Sequence, residues 1–494
     1  MSHRVLDQLL RPLGIHAPAL PLTDIQLDSR RAGPGCLFVA VRGHQVDGRR
    51  FIEQAVAQGA AAVLFEEDGE FVAPELTVPC FGIPALPARL SELAGYFYDQ
   101  PAHKLQLVGI TGTNGKSTTA LLVANWRTLL GGKAGVMGTI GNGLFGELVE
   151  AQNTTGSAVE VQANLAALQQ QGADLVAMEV SSHGLVQHRV SALPFAATVF
   201  TNLSRDHLDY HGTMEAYGAA KEELLKLVDE PNAVINADDE VGQAWLARYP
   251  EAVAFGVNGP IENHPGRQLT AQDPHFHQQG FHTRINSSWG NGVLSAPLLG
   301  RFNVSNVLAA MGAMLVLGYE FDALLASAPR LQAVTGRMEC FGGGNAPLAV
   351  VDYAHTPDAL EKALQALRVH CEGQLWCLVG CGGDRDRGKR PMMAAMAEQY
   401  ADRVILTDDN PRTEEPAQIM ADMVAGLRDP AVVQIEHDRT RAIALALGQA
   451  SKQDIILVAG KGHEDYQIIG TDKRHYSDRE TVAAALHTLL ESFR

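Results

Sequence analysis

The sequence predicts an α/β protein of three domains, a small N-terminal one over residues 1–87, a central one over 88–334 and a C-terminal one over 335–494. Two observations carry the class. From about residue 104, short apolar runs alternate with helix-period segments, the pattern of a parallel sheet with crossover helices. From about residue 336 a second set follows, each run ending in a loop loaded with Gly, Asp, Arg or His. The number of domains rests on length, because 494 residues exceed one ordinary hydrophobic core.

Taken in order, "CLFVAVRG" and "GAAAVLFEE" read as strands of a small α/β module. The proline-spaced "VPCFGIPALPARL" reads as a linker near residues 80–88. In the central part "KLQLVGI", "DLVAMEV", "FAATVFTNL" and "NAVINADD" read as buried strands, and "KSTTALLVANWRTLL" as a helix. Residues 255–297 are polar and rich in Gly, His and Asn, and are expected as an antiparallel flap or a solvated, extended loop; their histidines match no metal-ligand spacing. The C-terminal set is "LAVVDYAHTP", "LWCLVGCGGDRDRGKR", "RVILTDDNPRTE" and "IILVAGKGHEDY". In an open, Rossmann-like parallel sheet the loops at the carboxyl ends of strands share one edge, so these four loops should converge on a crevice.

A formal net charge of −17 opposes nonspecific binding to nucleic acid or to an anionic membrane surface. An anionic ligand must therefore be gripped by local groups. Apolar residues at 46% and charged residues at 19% fit a soluble globular chain. Residues 1–20 lack an apolar core of signal-peptide length, and no run of about 18 uncharged apolar residues occurs, so a cytoplasmic protein without membrane insertion is expected. The six cysteines form no CxxC pair and are expected as reduced thiols.

"GITGTNGKST", residues 109–118, follows a strand and opens a helix. Such a turn aims backbone N–H groups and the helix N-terminal dipole at phosphate oxygens. Within it Gly112, Thr113, Asn114, Gly115, Lys116, Ser117 and Thr118 form the loop; Lys116 would reach the β- and γ-phosphates of ATP, and the Ser117 hydroxyl would bind Mg2+. Ile110 stands where the strict motif has its first glycine, so the match is a variant. Mg2+ prefers oxygen ligands, and Glu179, which ends "DLVAME", is a carboxylate placed to face the phosphates. His207 is a candidate ligand for a second metal ion, although without context it reads as a hydrogen-bonded loop histidine.

In "TDDNPRTEEP", residues 407–416, Pro411 fixes its own φ near about −65° and biases Asn410 away from helix. Arg412 then leaves the strand end in a restricted direction, suited to a planar anion. The alternative is a solvated salt-bridge cluster with Glu414 and Glu415.

Together "TGTNGKST", "EVSSHGL", "NLSRDHLDYHG", "AAKEEL", "VINADD" and "GRFNVSNVLAA" resemble, in order, the central domain of the Mur ligases, the ATP-dependent amide ligases of peptidoglycan synthesis. "LDSRRAGPGCLFVAVRGHQVDG", "NTTG", "GLVQHRV", "CGGDRD", "DNPR" and "GKGHE" extend the resemblance over nearly the whole chain, and towards the member that adds the third residue of the stem peptide. Departures are small: Ser117 for the commoner threonine, Gly156 where relatives often have proline, and Val46 where alanine is usual.

The resemblance implies an enzyme that joins the amino group of a diamino acid to the γ-carboxylate of D-glutamate in UDP-N-acetylmuramoyl-L-alanyl-D-glutamate. ATP would phosphorylate that carboxylate, and the amine would displace phosphate from the acyl phosphate. Mg2+ and a monomer are implied as well. Lys116, Ser117, Glu179 and His207 would neutralise charge around one or two Mg2+ ions, with Lys221 carbamylated to support the metal. Leu27, Ser29, His44, Gln45 and Val46 would hold the uridine end, and Asn153, Thr154, Thr155, Ser181, Gln187 and Arg189 the peptide and its phosphates. Asn303, Asn306, Arg337 and Asp352 would close over ATP between the central and C-terminal domains. Arg385, Asp409, Asn410, Pro411, Arg412, Gly460 and Glu464 would hold the amino acid, "DNPR" marking users of meso-diaminopimelate over L-lysine. Lysine lacks the distal carboxylate and would leave Arg412 unpaired. A folylpolyglutamate synthase-like ligase and a P-loop ATPase acting as a switch or scaffold are the rivals; the N-terminal motifs and "DNPR" argue against the former.

Overall fold

The structure, a computed structural model, describes residues 4–43 and 46–492. The chain forms two compact units. The first takes in the chain up to Thr270 with Ser287–Trp289 and Val307–Leu324; the second takes in Ala271–Asn286, Gly290–Asn306 and the chain from Leu325 onward.

In the first unit, β1 (Ile25–Gln26), β2 (Leu37–Ala40), β3 (Ala62–Glu67) and β4 (Cys80–Pro84) form a parallel sheet in chain order. Residues 80–88 are therefore not a linker. Cys80–Pro84 pairs with Val63–Glu67, with Pro84 at the end of an edge strand where a missing N–H is tolerated. Helix Leu86–Phe97 follows at once, with Pro87 in its first turn, where the N–H would have no helical partner anyway. Leu86, Leu90, Leu93, Ala94 and Phe97 lie on one helical face and pack on Leu37, Val39, Leu64 and Ile83. Each such leucine contributes about 1.5–3 kcal/mol by burial.

The larger sheet of this unit is built of β5 (Gln106–Thr111), β6 (Ala134–Gly138), β7 (Gly141–Leu144), β8 (Leu175–Glu179), β9 (Phe195–Phe200), β10 (Ala233–Asn236), β11 (Val253–Gly256) and the start of β12 (Gln268–His277). Their spatial order is β12-β11-β10-β9-β5-β8-β6-β7, parallel except for β7. β5 lies between β8 and β9, so the connections leave it in opposite directions and open a crevice at its carboxyl end. β8 and β10 are buried throughout and β9 nearly so, which is why they read as apolar runs.

β12 runs on into the second unit, followed by β13 (Gly280–Ser287) and β14 (Gly290–Ala296). Of the two expectations for residues 255–297, the stranded flap is found from residue 268 onward. Phe281, Thr283 and Ile285 are buried while His282, Arg284 and Asn286 are exposed, an alternation with period two that the abundance of polar residues obscures.

The second unit holds β15 (Glu339–Gly342), β16 (Leu348–Asp352), β17 (Leu375–Val379), β18 (Arg403–Leu406), β19 (Gln434–Ile435) and β20 (Ile455–Ala459), in the order β15-β16-β20-β17-β18-β19. Only β15 is antiparallel to its neighbour. Val350, Cys377 and Leu457 join one core with Leu360, Leu364 and Met393 of the helices on that face. Val351, Leu378 and Val458 join the opposite core, with Ile443 and Val482. β21 (Tyr466–Ile469) and β22 (Asp472–His475) form a small antiparallel ribbon. All six cysteines are free thiols. Among the described residues no helix is long and apolar enough to cross a membrane.

Candidate active site

The phosphate loop is fixed between β5 and helix Lys116–Leu129. Gly112 turns the chain at φ 144°, where a Cβ would collide with the Thr201 hydroxyl. The loop is laced to the chain after β9. Thr113 N and Asn114 N donate to Asn202 O and Oδ1 at 2.8 and 2.9 Å, and Thr201 Oγ1 donates to Asn114 O at 2.6 Å.

Lys116 opens the helix, and its Nζ donates to the carbonyls of Gly112 and Thr113 at 3.0 and 2.9 Å. Lys221, buried on helix Met214–Glu222, donates to the same Gly112 carbonyl at 2.9 Å. Burial, aided by the like charge of Lys116, pushes the Lys221 amine down to about 7. Burial lowers Lys116 as well.

Glu179 ends β8 and is 2% exposed. Its Oε1 accepts from Ser117 Oγ and Thr139 N, both at 2.8 Å, and Oε2 accepts from Thr139 Oγ1 at 3.2 Å. Gly138 lies so close that a Cβ there would overlap the carboxylate. His207, half-exposed at φ 50°, stands 3.5 Å from Asp206 and edges onto His183 in a ring cluster with Tyr210, His211 and Tyr217. Burial lowers the His183 and His211 imidazoles. Among the described residues no three His, Cys, Asp or Glu gather as a metal cage. The donors present, a hydroxyl and a carboxylate, nevertheless suit Mg2+, which completes its octahedron with phosphate oxygens and water.

A hydrogen-bond path leads from Glu179 to a cavity of about 570 Å3 lined by Leu27, Arg42, Asn153, Gln187, Arg189 and Tyr210. Thr155 Oγ1 donates to Glu179 O at 3.0 Å and accepts from Ser181 N at 3.0 Å, while the Thr139 and Thr154 hydroxyls are 2.9 Å apart. Arg189 Nη1 donates to Thr155 O at 2.6 Å, and its Nε and Nη2 share Gln187 Oε1 at 3.1 and 2.6 Å. Ser181 caps helix Ser182–Val186. Ser29 is buried with its hydroxyl on Gln54 at 3.3 Å, and Val46 is exposed. His44 and Gln45 lie outside the described residues.

In the second unit, Asn303 and Asn306 are buried on helix Arg301–Val316; Asn306 Nδ2 donates to Asn303 Oδ1, and Asn303 Nδ2 to Leu299 O. Asp352, raised by burial, accepts from Met338 N and Ala354 N. Arg337 lies over the Tyr353 ring at 4.9 Å.

The strand-end loops meet as expected of a shared edge. Gly460 N donates to Asp352 O, and Gly383 N to Asn410 O. Arg412 has φ 52°, donates from Nη1 to Gly383 O at 2.8 Å, and is fastened through its backbone to Ile468 and Gly470 of the ribbon. Glu414 pairs at 2.8 Å with the fully buried Arg390, so this carboxylate is engaged away from Arg412. Among the described residues neither Arg412 nor the exposed Arg385 forms an ion pair. Three buried cations behind these loops, Arg390, Arg439 and Lys461, escaped the sequence reading. Arg439 shares its helix face with Ala442, Ile443 and Ala446, a spacing that signals an inward arginine.

Three family models match the chain. One described as the Mur ligase middle domain matches residues 110–314, the Mur ligase glutamate ligase domain matches 336–462, and the Mur ligase family catalytic domain matches 21–98. Among solved structures, a UDP-N-acetylmuramoyl-L-alanyl-D-glutamate–2,6-diaminopimelate ligase is 35% identical, with 99% of this chain and 100% of that one covered and a TM-score of 0.78. The MurF ligase of Thermotoga maritima in complex with ADP shares the fold at 20% identity, with 95% and 98% covered and a TM-score of 0.58. The folylpolyglutamate synthase of Mycobacterium tuberculosis, complexed with ADP and AMPPCP, does so at 18%, with 81% and 95% covered and a TM-score of 0.54. A phosphate loop backed by a buried carboxylate, on a fold shared with these enzymes, makes this an ATP-dependent ligase. The chain belongs to the Mur ligase family and has its three-domain α/β architecture.

Proposed function

We propose that this ligase joins meso-diaminopimelate to the γ-carboxylate of D-glutamate in UDP-N-acetylmuramoyl-L-alanyl-D-glutamate, converting ATP to ADP and phosphate, as a cytoplasmic monomer. The observation that carries the reading is Arg412, held at Gly383 O and forming no ion pair with any described carboxylate, two residues after Asn410, whose amide faces Glu464. A carboxylate satisfies such a fork in two places, and Glu464 is an acceptor for an ammonium. The far end of diaminopimelate carries both groups; lysine carries only the ammonium. The likeness to a ligase named for this acceptor supports the same reading.

The ATP phosphates would lie on Gly112–Thr118, Lys116 turning its donors from the loop carbonyls to phosphate oxygens. Ser117 and Glu179 would hold Mg2+, which when bound neutralises phosphate charge. The cavity beside Arg189 would take the nucleotide-sugar peptide, with Asn153, Gln187 and Arg189 as donors to an acidic ligand in an acidic protein. The substrate γ-carboxylate oxygen bonds to the γ-phosphorus as ADP leaves. The amine nitrogen then bonds to the acyl carbon, phosphate departs and a proton is released. In such transfers the protein supplies mainly positioning and charge neutralisation.

Purified protein given ATP, the UDP-dipeptide and either meso-diaminopimelate or L-lysine tests this by the mass of the amide product. Diaminopimelate product in large excess supports the proposal. Product with lysine alone, with neither, or only with a folate and glutamate would overturn it.

A further inference from the structure

Lys461 is fully buried, yet it adjoins the groups proposed to read the acceptor. Its Nζ lies 3.1 Å from Asp409 Oδ1 and 3.8 Å from Glu464 Oε2, and donates to Tyr466 O at 2.8 Å and to Asn410 Oδ1 at 3.0 Å. The last bond bears on recognition. An asparagine amide has an accepting and a donating end, and its neighbours decide which way each faces. Asn410 Oδ1 is met by Lys461 Nζ and by Ile468 N at 2.9 Å, both donors only. The oxygen must face them, and Nδ2 is left to face Glu464 Oε2, at 3.4 Å.

We propose that Lys461 is a specificity-determining positioning residue: by fixing the polarity of Asn410 it makes that amide a donor beside Arg412, so that the pocket favours an acceptor whose far end bears a carboxylate. This rests on the ligase reading above. Lys461 does not itself touch the acceptor, since its ammonium is fully buried, donates to Asn410 and Tyr466 and is ion-paired with Asp409. Without it, one of the two donors that hold Oδ1 is lost, so the amide is held less firmly in the orientation that presents its NH2 as a donor. Discrimination between diaminopimelate and lysine would fall.

Removing Lys461 alone would leave Asp409 buried beside no cation, so the test compares two proteins that both lack the Asp409 carboxylate, Asp409→Asn and Asp409→Asn/Lys461→Met. For each, kcat/KM is measured with meso-diaminopimelate and with L-lysine, together with the KM for ATP and the melting temperature. Relative to D409N, the double variant should lose at least about tenfold in the diaminopimelate-to-lysine ratio with the ATP KM within about twofold, a change of about 1.4 kcal/mol in discrimination. An unchanged ratio, or a double variant that fails to fold while D409N folds, would overturn the proposal and leave Lys461 a purely structural cation. Wild-type enzyme run alongside separates the two readings: if it makes no diaminopimelate product, the ligase assignment fails; if it does and the ratio is unmoved, only the role of Lys461 fails.

Discussion

Lys116 and Lys221 aim their amine nitrogens at one oxygen, the carbonyl of Gly112, from 3.0 and 2.9 Å. Burial disfavours an ammonium here, the like charge of Lys116 adds to the cost for Lys221, and both are relieved when Lys221 gives up its proton. Its amine is accordingly lowered to about 7.

Carbon dioxide adds to a neutral amine and not to an ammonium, so the pH dependence of carbamate formation follows. Bicarbonate added to carbon dioxide-depleted enzyme should restore activity more above about pH 7 than below it. Intact mass should show one carboxyl adduct, lost in Lys221→Met. The absence of any bicarbonate effect would remove the carbamate from the mechanism. Stability has its own sign: an amine lowered from 10.5 to about 7 makes the unmodified fold least stable below about pH 7 and more stable as pH rises towards 10.5. Lys221→Met should therefore melt higher at or below neutrality while losing activity.

Glu179→Gln keeps an acceptor for Ser117 and Thr139 but removes the charge. Turnover should fall by about 10²–10³. The Mg2+ needed for half-maximal rate should rise, with the melting temperature unchanged or higher. A variant with normal Mg2+ dependence would dissociate Glu179 from the metal.

Arg412→Ala is expected to raise the KM for diaminopimelate about tenfold to a hundredfold, the value of a charge-assisted hydrogen bond of about 1.5–3 kcal/mol, with little change for ATP. Arg412→Lys should not restore it, because an ammonium lacks the planar fork. Equal effects on both substrates would contradict the assignment.

Arg189→Ala should weaken the UDP-dipeptide and spare ATP, measured as separate Michaelis constants. Lysine is a poor replacement here too, since Arg189 bridges Thr155 O and Gln187 Oε1 with different nitrogens.

Arg439 and Asp478 form a buried bidentate pair at 2.7 and 2.8 Å, and Arg439 Nη2 donates to Ala459 O at the end of β20. Arg439→Met strands the partner carboxylate and should cost about 3–5 kcal/mol in urea unfolding. A loss below about 1 kcal/mol would show that the C-terminal sheet does not depend on the pair.

The strands that carry the chemistry were legible because both faces are covered, which leaves an apolar run followed abruptly by a polar loop. β5, β8, β16, β17, β18 and β20 all read this way. Residues 80–88 misled because prolines mark the end of β4 and the first turn of a helix as readily as a linker. The left-handed turn at Arg412 follows from its bonds to Ile468 and Gly470, far along the chain, which no local propensity contains. Lys461 hid for a similar reason. In sequence it is a lysine between two glycines, and only pairing with Asp409, Asn410 and Tyr466 tells it from a surface cation.

The loop of Asn410, Pro411 and Arg412 hangs from one strand end, whereas the phosphate loop hangs from a strand of another sheet. On the function proposed above, mutation could therefore rewrite the choice of nucleophile without disturbing the machinery of activation. A scaffold so partitioned is evolvable, each half open to drift while the other is held constant.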